Sequence, residues 1–173
     1  ELGKTSTTGD FEGIITNKDH NIATQINSND IISIFDKFIG EQNQIPPMHS
    51  GLKINGQKLY KLARKGIVIP REPRKINIYN LTFISFEHLV LEFLVTCSKG
   101  TYIRTLVEDI STKLGTSGYV TFLRRIKVGE FSERNMITVN KLPKVIDIKS
   151  DYFFCLEDIS TLLPNNGCNI SNS

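Results

Sequence analysis

Cysteine is scarce in this sequence of 173 residues, and the three cysteines are far from one another. They are Cys97, Cys155 and Cys168, and the first falls inside an apolar segment. This odd, scattered set argues against a disulfide scaffold and favours a reduced intracellular protein, which we expect to be cytoplasmic. Long hydrophobic runs are also lacking, because no segment approaches the roughly 20 apolar residues of a membrane-spanning helix. We therefore expect no membrane partner.

Histidine is equally sparse, with His20, His49 and His88 standing alone. No spacing typical of zinc ligands is present, so we expect no metal site. The sequence also lacks a phosphate-binding glycine loop, a dinucleotide fingerprint and a Gly-x-Ser-x-Gly nucleophile motif. The chain opens at Glu1 without an initiating methionine, which favours a fragment of a longer protein.

Positive charge is concentrated in one stretch of the chain, residues 47–75, which we call the basic arm. The whole chain has a net charge of +3, but the arm holds eight basic residues and one acidic residue, giving it +7 and leaving −4 elsewhere. This pattern is typical of a segment that binds a polyanion, although a solvated charged surface without a ligand is the alternative. The eight residues are Lys53, Lys58, Lys61, Arg64, Lys65, Arg71, Arg74 and Lys75.

Hydrophobic periodicity predicts an α+β fold with a mixed, mainly antiparallel sheet and flanking helices. The sequence predicts strands at 14–16, 76–84, 89–97 and 123–131, an extended linker at 42–47 and a hairpin turn at 54–57. It predicts helices that begin near Ser28, Leu59, Ile103, Thr138 and Leu156. The helix near Ser28 should bury Ile31, Ile32, Phe35, Phe38 and Ile39 on one face.

The junction between the strand at 89–97 and the following helix carries Lys99, Gly100, Tyr102 and Arg104. Free backbone N–H groups at the start of a helix favour anions, and an arginine there can pair with phosphate or carboxylate. The alternative is that Arg104 points into water, as most arginines early in a helix do. We predict that Arg104 is partly exposed or lies close to an acid or a bound anion, because an unpaired buried cation is costly.

Three segments together resemble the TruB family of tRNA pseudouridine synthases. They are Gln44–Lys53 with Gly56–Gly66, then Cys97–Leu106, then Leu123–Arg125 with Val128–Phe131. The resemblance covers about residues 2–142. It implies an isomerase, independent of metal and organic cofactor, that acts on the T-loop uridine at tRNA position 55. In that family the base is flipped out, an aspartate attacks, the glycosidic bond breaks, and the uracil rejoins through carbon.

By this resemblance Arg104 would pair with the catalytic aspartate, and Tyr102 and Leu123 would line the uracil pocket with Lys99 nearby. The basic arm would be the segment that closes over the T-loop of tRNA. Its expected RNA-binding residues are Lys53, Lys58, Arg64, Lys65, Arg71 and Arg74. Residues 1–142 would form the central to C-terminal part of the catalytic domain. Residues 143–173 would be helices and a tail that lead toward a PUA-like domain.

The catalytic aspartate of the family lies in a Gly-x-x-Asp-Pro-x-Ala-x-Gly motif, and none of the eight aspartates here precedes proline. We therefore expect this chain alone to be inactive and Arg104 to lack its carboxylate, while the full-length protein is a monomeric enzyme. Two alternatives stay open: a non-catalytic RNA-binding module that uses the basic arm, and an incomplete fold whose exposed sheet edge self-associates.

Overall fold

The computed structural model describes residues 1–135, in which antiparallel strands alternate with short helices. This confirms the predicted α+β class. The elements in chain order are β1 (Lys4–Ser6), β2 (Ile15–Asn17), α1 (His20–Ala23), α2 (Ser28–Phe35), a 3-10 turn (Asp36–Phe38), β3 (Gly40–Gln44), β4 (Lys53–Ile54), β5 (Gln57–Lys58), α3 (Leu59–Ala63), β6 (Arg74–Glu87), β7 (Val90–Cys97), α4 (Ile103–Lys113), β8 (Lys127–Val128), β9 (Phe131–Ser132) and a second 3-10 turn (Glu133–Asn135).

The chain divides into two compact units, Glu1–Phe122 and Leu123–Ser173. The first contains the main sheet, in the order β3-β6-β7, and all four helices named above. Of the second, the described part is the short β8–β9 hairpin and the 3-10 turn that follows. None of the helices within residues 1–135 is long and apolar enough to cross a bilayer.

The core lies between one face of the main sheet and helices α2 and α4. Strand β6 keeps its apolar side chains on this face through two irregularities in its pairing with β7, at Ile78–Asn80 and at Phe83–Ser85. Each irregularity shifts the two-residue alternation by one position. Ile78 and Leu81 therefore both face the core although three positions separate them, and they are 0% and 8% exposed. The predicted pairing of these two strands is confirmed.

Helix α2 begins at Ser28, as predicted, and its N-cap is the preceding residue, Asn27. Asn27 accepts backbone N–H bonds from Asn29 and Asp30 at 2.9 and 3.2 Å, and Asp30 accepts the Asn27 N–H at 3.0 Å, which completes a capping box. The expected apolar face is only partly right. The helix ends at Phe35, and Ile32 and Ile39 are 45% and 42% exposed, because neither lies on the side that meets the sheet.

Two predictions about extended segments need correction. The first three residues of the linker predicted at 42–47 belong instead to strand β3, which pairs along its length with Arg74–Ile78 of β6. The polar sequence of β3 gives no strand signal, because an edge strand is held by backbone hydrogen bonds and needs no alternation of apolar residues. The strand predicted at 123–131 is also wrong: residues 123–126 form no strand, and the rest enters the tight β8–β9 hairpin, which turns at Gly129 with a φ of 56°. The helices predicted from Thr138 and Leu156, and the tail after them, lie outside the described residues.

The basic arm folds as predicted, into a hairpin and a short helix. Strands β4 and β5 turn at Asn55 and Gly56, whose φ values of 50° and 78° suit a two-residue hairpin turn. Helix α3 follows directly, with Leu59 fully buried as its anchor. The hairpin and helix carry Lys53, Lys58 and Lys61, while the other cations of the arm follow the helix or, like Arg74 and Lys75, belong to β6.

Candidate active site

Arg104 stands in the first turn of α4, where the guanidinium binds two distant parts of the chain. Nη1 donates to the carbonyl oxygen of Thr8 and to Oδ2 of Asp10, each at 3.0 Å. Nη2 donates to the carbonyl oxygen of His49, at the root of the basic arm, at 2.6 Å. The side chains of Arg104 and Asp10 are 23% and 20% exposed. The prediction that Arg104 lies partly exposed and close to an acid is confirmed.

Asp10 is fully engaged by its own loop. Its Oδ1 accepts the hydroxyl of Thr8 at 2.6 Å and the backbone N–H of Glu12 at 3.2 Å, while Oδ2 takes the bond from Arg104. Its carbonyl oxygen accepts the hydroxyl of Ser6. A carboxylate held on both oxygens fixes a cation in place, and it has little freedom to act as a nucleophile.

The loop around Asp10 is packed so closely that two of its positions require glycine. At Gly9, where φ is 78°, a Cβ would lie 3.0 Å from Oε1 of Glu108 and 3.3 Å from Cβ of Arg104. At Gly13 a Cβ would lie 2.3 Å from Oγ of Ser6. The loop is also tied to the segment after α4, because Gly9 accepts the N–H of Val120 at 3.0 Å. These contacts hold the Asp10 carboxylate at a fixed distance from α4.

Arg104 keeps donors for a further ligand. A guanidinium has five N–H groups, and three of them are used in the bonds to Thr8, Asp10 and His49. Within residues 1–135, the Nε–H and one N–H of Nη2 have no protein acceptor. The arginine can therefore hold a second anion while Asp10 keeps it in place.

Tyr102 occupies the N-cap position of α4, and it is half-buried. Its backbone is held by the side chain of Gln44, the last residue of β3. Oε1 of Gln44 accepts the Tyr102 N–H at 2.8 Å, and Nε2 of Gln44 donates to the Tyr102 carbonyl oxygen at 3.1 Å. The structure thus brings Tyr102 and Arg104 together on one rigid helix start.

The other two residues predicted to bind the substrate are exposed. Lys99 lies in the turn between β7 and α4, where Gly100 adopts a φ of 86°. Leu123 is 58% exposed and belongs to the second compact unit. Their roles at the substrate stay predictions.

Four of the eight cations of the basic arm line a cavity of about 420 Å³. Arg64 packs its guanidinium over the ring of Tyr60 at 5.4 Å from the ring centre, and Arg74 is exposed at the start of β6. Arg71 is half-buried, and its Nε has no hydrogen-bond partner within residues 1–135. The lysines that line the cavity are Lys53, Lys58, Lys61 and Lys65.

Two carboxylates follow Arg104 on the same helix. Loss of hydration raises the pKa of Glu108, and the neighbouring charge of Asp109 raises it further, while the guanidinium of Arg104 acts in the opposite direction. Loss of hydration also raises the pKa of Asp109, against the effect of Lys113. Both side chains remain open to water, so solvent screens these effects.

Arg104 binds the carboxylate of Asp10, a partner that the sequence does not predict. The expectation that its catalytic aspartate is absent from this chain stays a prediction. The sequence places Asp10 in a turn-like segment 94 residues from Arg104, and nothing local connects them. The contact between Gln44 and Tyr102 was likewise not predicted, although Gln44 belongs to one of the family-like segments. Within residues 1–135 no three His, Cys, Asp or Glu side chains converge as metal ligands would. The arrangement is suited to binding anions.

Comparison with known proteins gives consistent matches along the chain. Residues 1–103 match the family described as TruB family pseudouridylate synthase (N terminal domain). Residues 104–154 match the tRNA pseudouridylate synthase B C-terminal domain.

Among curated proteins, tRNA pseudouridine synthase B of Pseudomonas fluorescens strain Pf-5 is 48% identical over 145 residues, which is 84% of this chain and 47% of that protein. The protein of the same name from Buchnera aphidicola subsp. Acyrthosiphon pisum is 41% identical over 164 residues, 94% of this chain and 52% of that one. The chain spans about half the length of the curated relatives it matches.

A solved structure is also similar to this chain. In the crystal structure of a Cbf5-Nop10-Gar1 complex, one chain matches with a TM-score of 0.55 at 29% sequence identity. The match covers 68% of this chain and 31% of that chain.

Proposed function

The chain belongs to the TruB family of pseudouridylate synthases, and on that premise we propose that the full-length protein isomerises a uridine of tRNA to pseudouridine. The observation that carries this proposal is the guanidinium of Arg104. It is held by three acceptors from two segments, with two N–H donors still available. We propose the T-loop uridine as the target.

The reaction leaves the composition of the nucleoside unchanged. The bond between C1′ of the ribose and N1 of the uracil breaks, the base turns, and a bond forms between C1′ and C5. The proton on C5 leaves, and N1 gains one. Because nothing is oxidised or reduced, the protein has to supply a nucleophile, proton transfers and a site that retains the detached base.

Arg104 would bind the nucleophilic carboxylate through its two available donors. A planar guanidinium recognises carboxylate with two parallel bonds, which fixes the direction of attack as well as the charge. Asp10 would not compete for this role, because both of its oxygens are already engaged. It would keep the guanidinium oriented before and after substrate enters.

Tyr102 would line the uracil pocket, since it is half-buried one turn or less from Arg104 at the start of α4. We propose that Leu123 adds an apolar contact to the same base and that Lys99 contacts a neighbouring phosphate. An aromatic ring beside a flipped base compensates part of the lost stacking, which costs a few kcal/mol.

The basic arm would hold the phosphates of the tRNA while the base is out of the helix. Four of its exposed lysines line one cavity, so several phosphates of a folded T-arm can be neutralised together. We further propose that the full-length protein is a monomer and works in the cytoplasm, where tRNA is available.

The test uses the full-length protein encoded by the gene and a T-arm RNA hairpin carrying tritium at C5 of the target uridine. Isomerisation releases the label into water, because the new bond forms at C5. A hairpin with cytidine at that position is the control. Tight binding without release of tritium would contradict the proposal and would favour the non-catalytic RNA-binding module.

A further inference from the structure

The side chain of Gln44 both accepts and donates a hydrogen bond with the backbone of a single residue, Tyr102. It is only 3% exposed, and its carbonyl oxygen and amide nitrogen both bond to Tyr102, at 2.8 and 3.1 Å. A buried primary amide is costly unless its donor and acceptor are both matched. Here the strand β3 uses a side chain to extend its bonding to the start of α4.

Tyr102 needs this support because it begins the helix. Its side chain makes no capping bond, and the first N–H groups of a helix have no partner within the helix. Its carbonyl oxygen also accepts the first bond of the helix, from the N–H of Leu106 at 3.0 Å. Gln44 therefore sets the position of the residue from which the first turn of α4, and Arg104 with it, is built.

The segment after Gln44 is fixed at a second point on the same helix. The alternate residues Pro46, Met48 and Ser50, which follow β3, are buried. Between the last two, the carbonyl oxygen of His49 receives the bond from Arg104. The first turn of α4 is thus bound to the 44–50 segment through Tyr102 and through Arg104.

We propose that Gln44 is a positioning residue for the Arg104 guanidinium. The proposal rests on the proposed function. Gln44 touches neither the guanidinium nor, in that scheme, the substrate. It holds the Tyr102 backbone so that Arg104 meets Asp10 and His49 and directs its two available donors at the nucleophile. An error of about 1 Å at such a group can cost about a hundredfold in rate.

Gln44→Met removes both bonds and keeps the length of the side chain. The matched control is Gln42→Met, because Gln42 lies on the same strand and its amide donates to Lys37 and Phe38 at 3.4 Å, away from α4. With the T-arm hairpin we expect Gln44→Met to lower kcat at least about tenfold and to change KM less than about twofold, since only the reacting geometry is disturbed. Gln42→Met should match the wild type.

Gln44→Glu gives a signature that a purely structural role would not produce. A neutral carboxylic acid can accept the Tyr102 N–H and donate to the Tyr102 carbonyl oxygen, as the amide does, but a carboxylate has no proton to donate. Burial raises the pKa of such a carboxyl. The kcat of this variant relative to the wild type should therefore rise as the pH falls, with the unfolding temperature recorded in parallel.

A readout independent of turnover separates this proposal from the proposed function. In protein labelled with ¹⁵N-arginine, we expect Gln44→Met to shift the guanidinium signals of Arg104 and Gln42→Met to leave them in place. Unchanged Arg104 signals together with unchanged kcat would overturn the role of Gln44. If the wild type releases no tritium, the proposed function fails and the guanidinium signals still decide the role of Gln44. If Gln44→Met does not fold, the signals of Gln44→Glu across the pH range decide instead.

Discussion

Oδ2 of Asp10 and Nη1 of Arg104 lie 3.0 Å apart, although 94 residues separate them in the chain. Both side chains are largely shielded, so their attraction is less screened than that of an exposed pair. Asp10 is held by Thr8 and Glu12, and Arg104 is held by its helix. The pair therefore joins the loop after β1 to the helix that carries the proposed active-site cation.

Asp10→Asn tests this pair directly. The amide keeps an oxygen for Arg104 but loses the charge that strengthens the bond, so the guanidinium is held less firmly. We expect kcat on the T-arm hairpin to fall by about 10- to 100-fold while RNA affinity changes little. Asp36→Asn, at an exposed position after α2, is the control. A kcat equal to that of the control variant would remove Asp10 from the mechanism.

Arg104→Lys keeps the positive charge and removes the planar guanidinium with its several N–H donors. One ammonium group cannot reach Thr8, Asp10 and His49 and still bind a second carboxylate, because its donors share one nitrogen. Turnover should decrease by at least about a hundredfold, measured as tritium release. Arg134→Lys at an exposed position is the matched change. Normal turnover in Arg104→Lys would show that charge alone suffices.

The triple variant Lys53→Gln, Lys58→Gln and Lys65→Gln tests the basic arm. Each phosphate contact contributes about 0.7 to 0.9 to the slope of log affinity against log salt, so the slope should fall by about 2 to 3. RNA-binding titrations at several salt concentrations measure it. A triple Lys-to-Gln change at Lys18, Lys37 and Lys113 alters net charge equally outside the arm. Equal slopes for both triples would mean that the arm does not contact the RNA.

Gly118→Ala tests the close packing of Gly118 against Ser111 and Leu2. A Cβ at Gly118 would lie 2.1 Å from Oγ and 3.0 Å from Cβ of the buried Ser111, and 3.2 Å from Cδ2 of Leu2. We expect a loss of about 1–3 kcal/mol in the free energy of unfolding, measured with urea. Gly51→Ala is the control, because no atom lies within 4 Å of its added Cβ. A stability loss in Gly51→Ala alone would contradict this account.

Glu108→Gln tests the effect of pH on α4. Burial raises the pKa of the Glu108 carboxyl in the folded state. Its favourable contribution is therefore complete at acid pH, below the ordinary carboxyl range, and is lost as the pH rises through the folded-state value. The variant should equal the wild type near pH 4 and exceed it slightly near pH 7, by up to about 0.5 kcal/mol. Thermal melts of both, with Glu87→Gln as an exposed control, measure the difference.

The elements that the sequence predicts well are those whose side chains meet the core. Strands β6 and β7 and helix α4 show apolar residues at the spacing of their own structure, and the helix ends near Gly115 as expected. Strand β3 was missed because its residues are polar and its bonds are made by the backbone. The end of α2 was misplaced, because the apolar periodicity continues to Ile39 whereas the helix ends at Phe35.

The candidate site is predictable only in part, for a related reason. Arg104 and Tyr102 stand out because they follow a buried strand and open an amphipathic helix. Their partners do not, since Asp10 and Gln44 reach them across 94 and 58 residues. Contacts between residues so far apart in sequence are created by the packing of the sheet and helices, and local sequence patterns do not predict them.

The double attachment of residues 44–50 to α4 also defines where this fold can be cut and rejoined. A graft that exchanges the arm from Gly51 onward would leave Gln44, the His49 carbonyl and the buried Ser50 in their original surroundings. A graft that begins at β3 would replace Gln44 and the His49 carbonyl, and both contacts with α4 would be lost. The proposed RNA-binding arm can therefore be exchanged without disturbing the proposed active site only when the junction lies after Ser50.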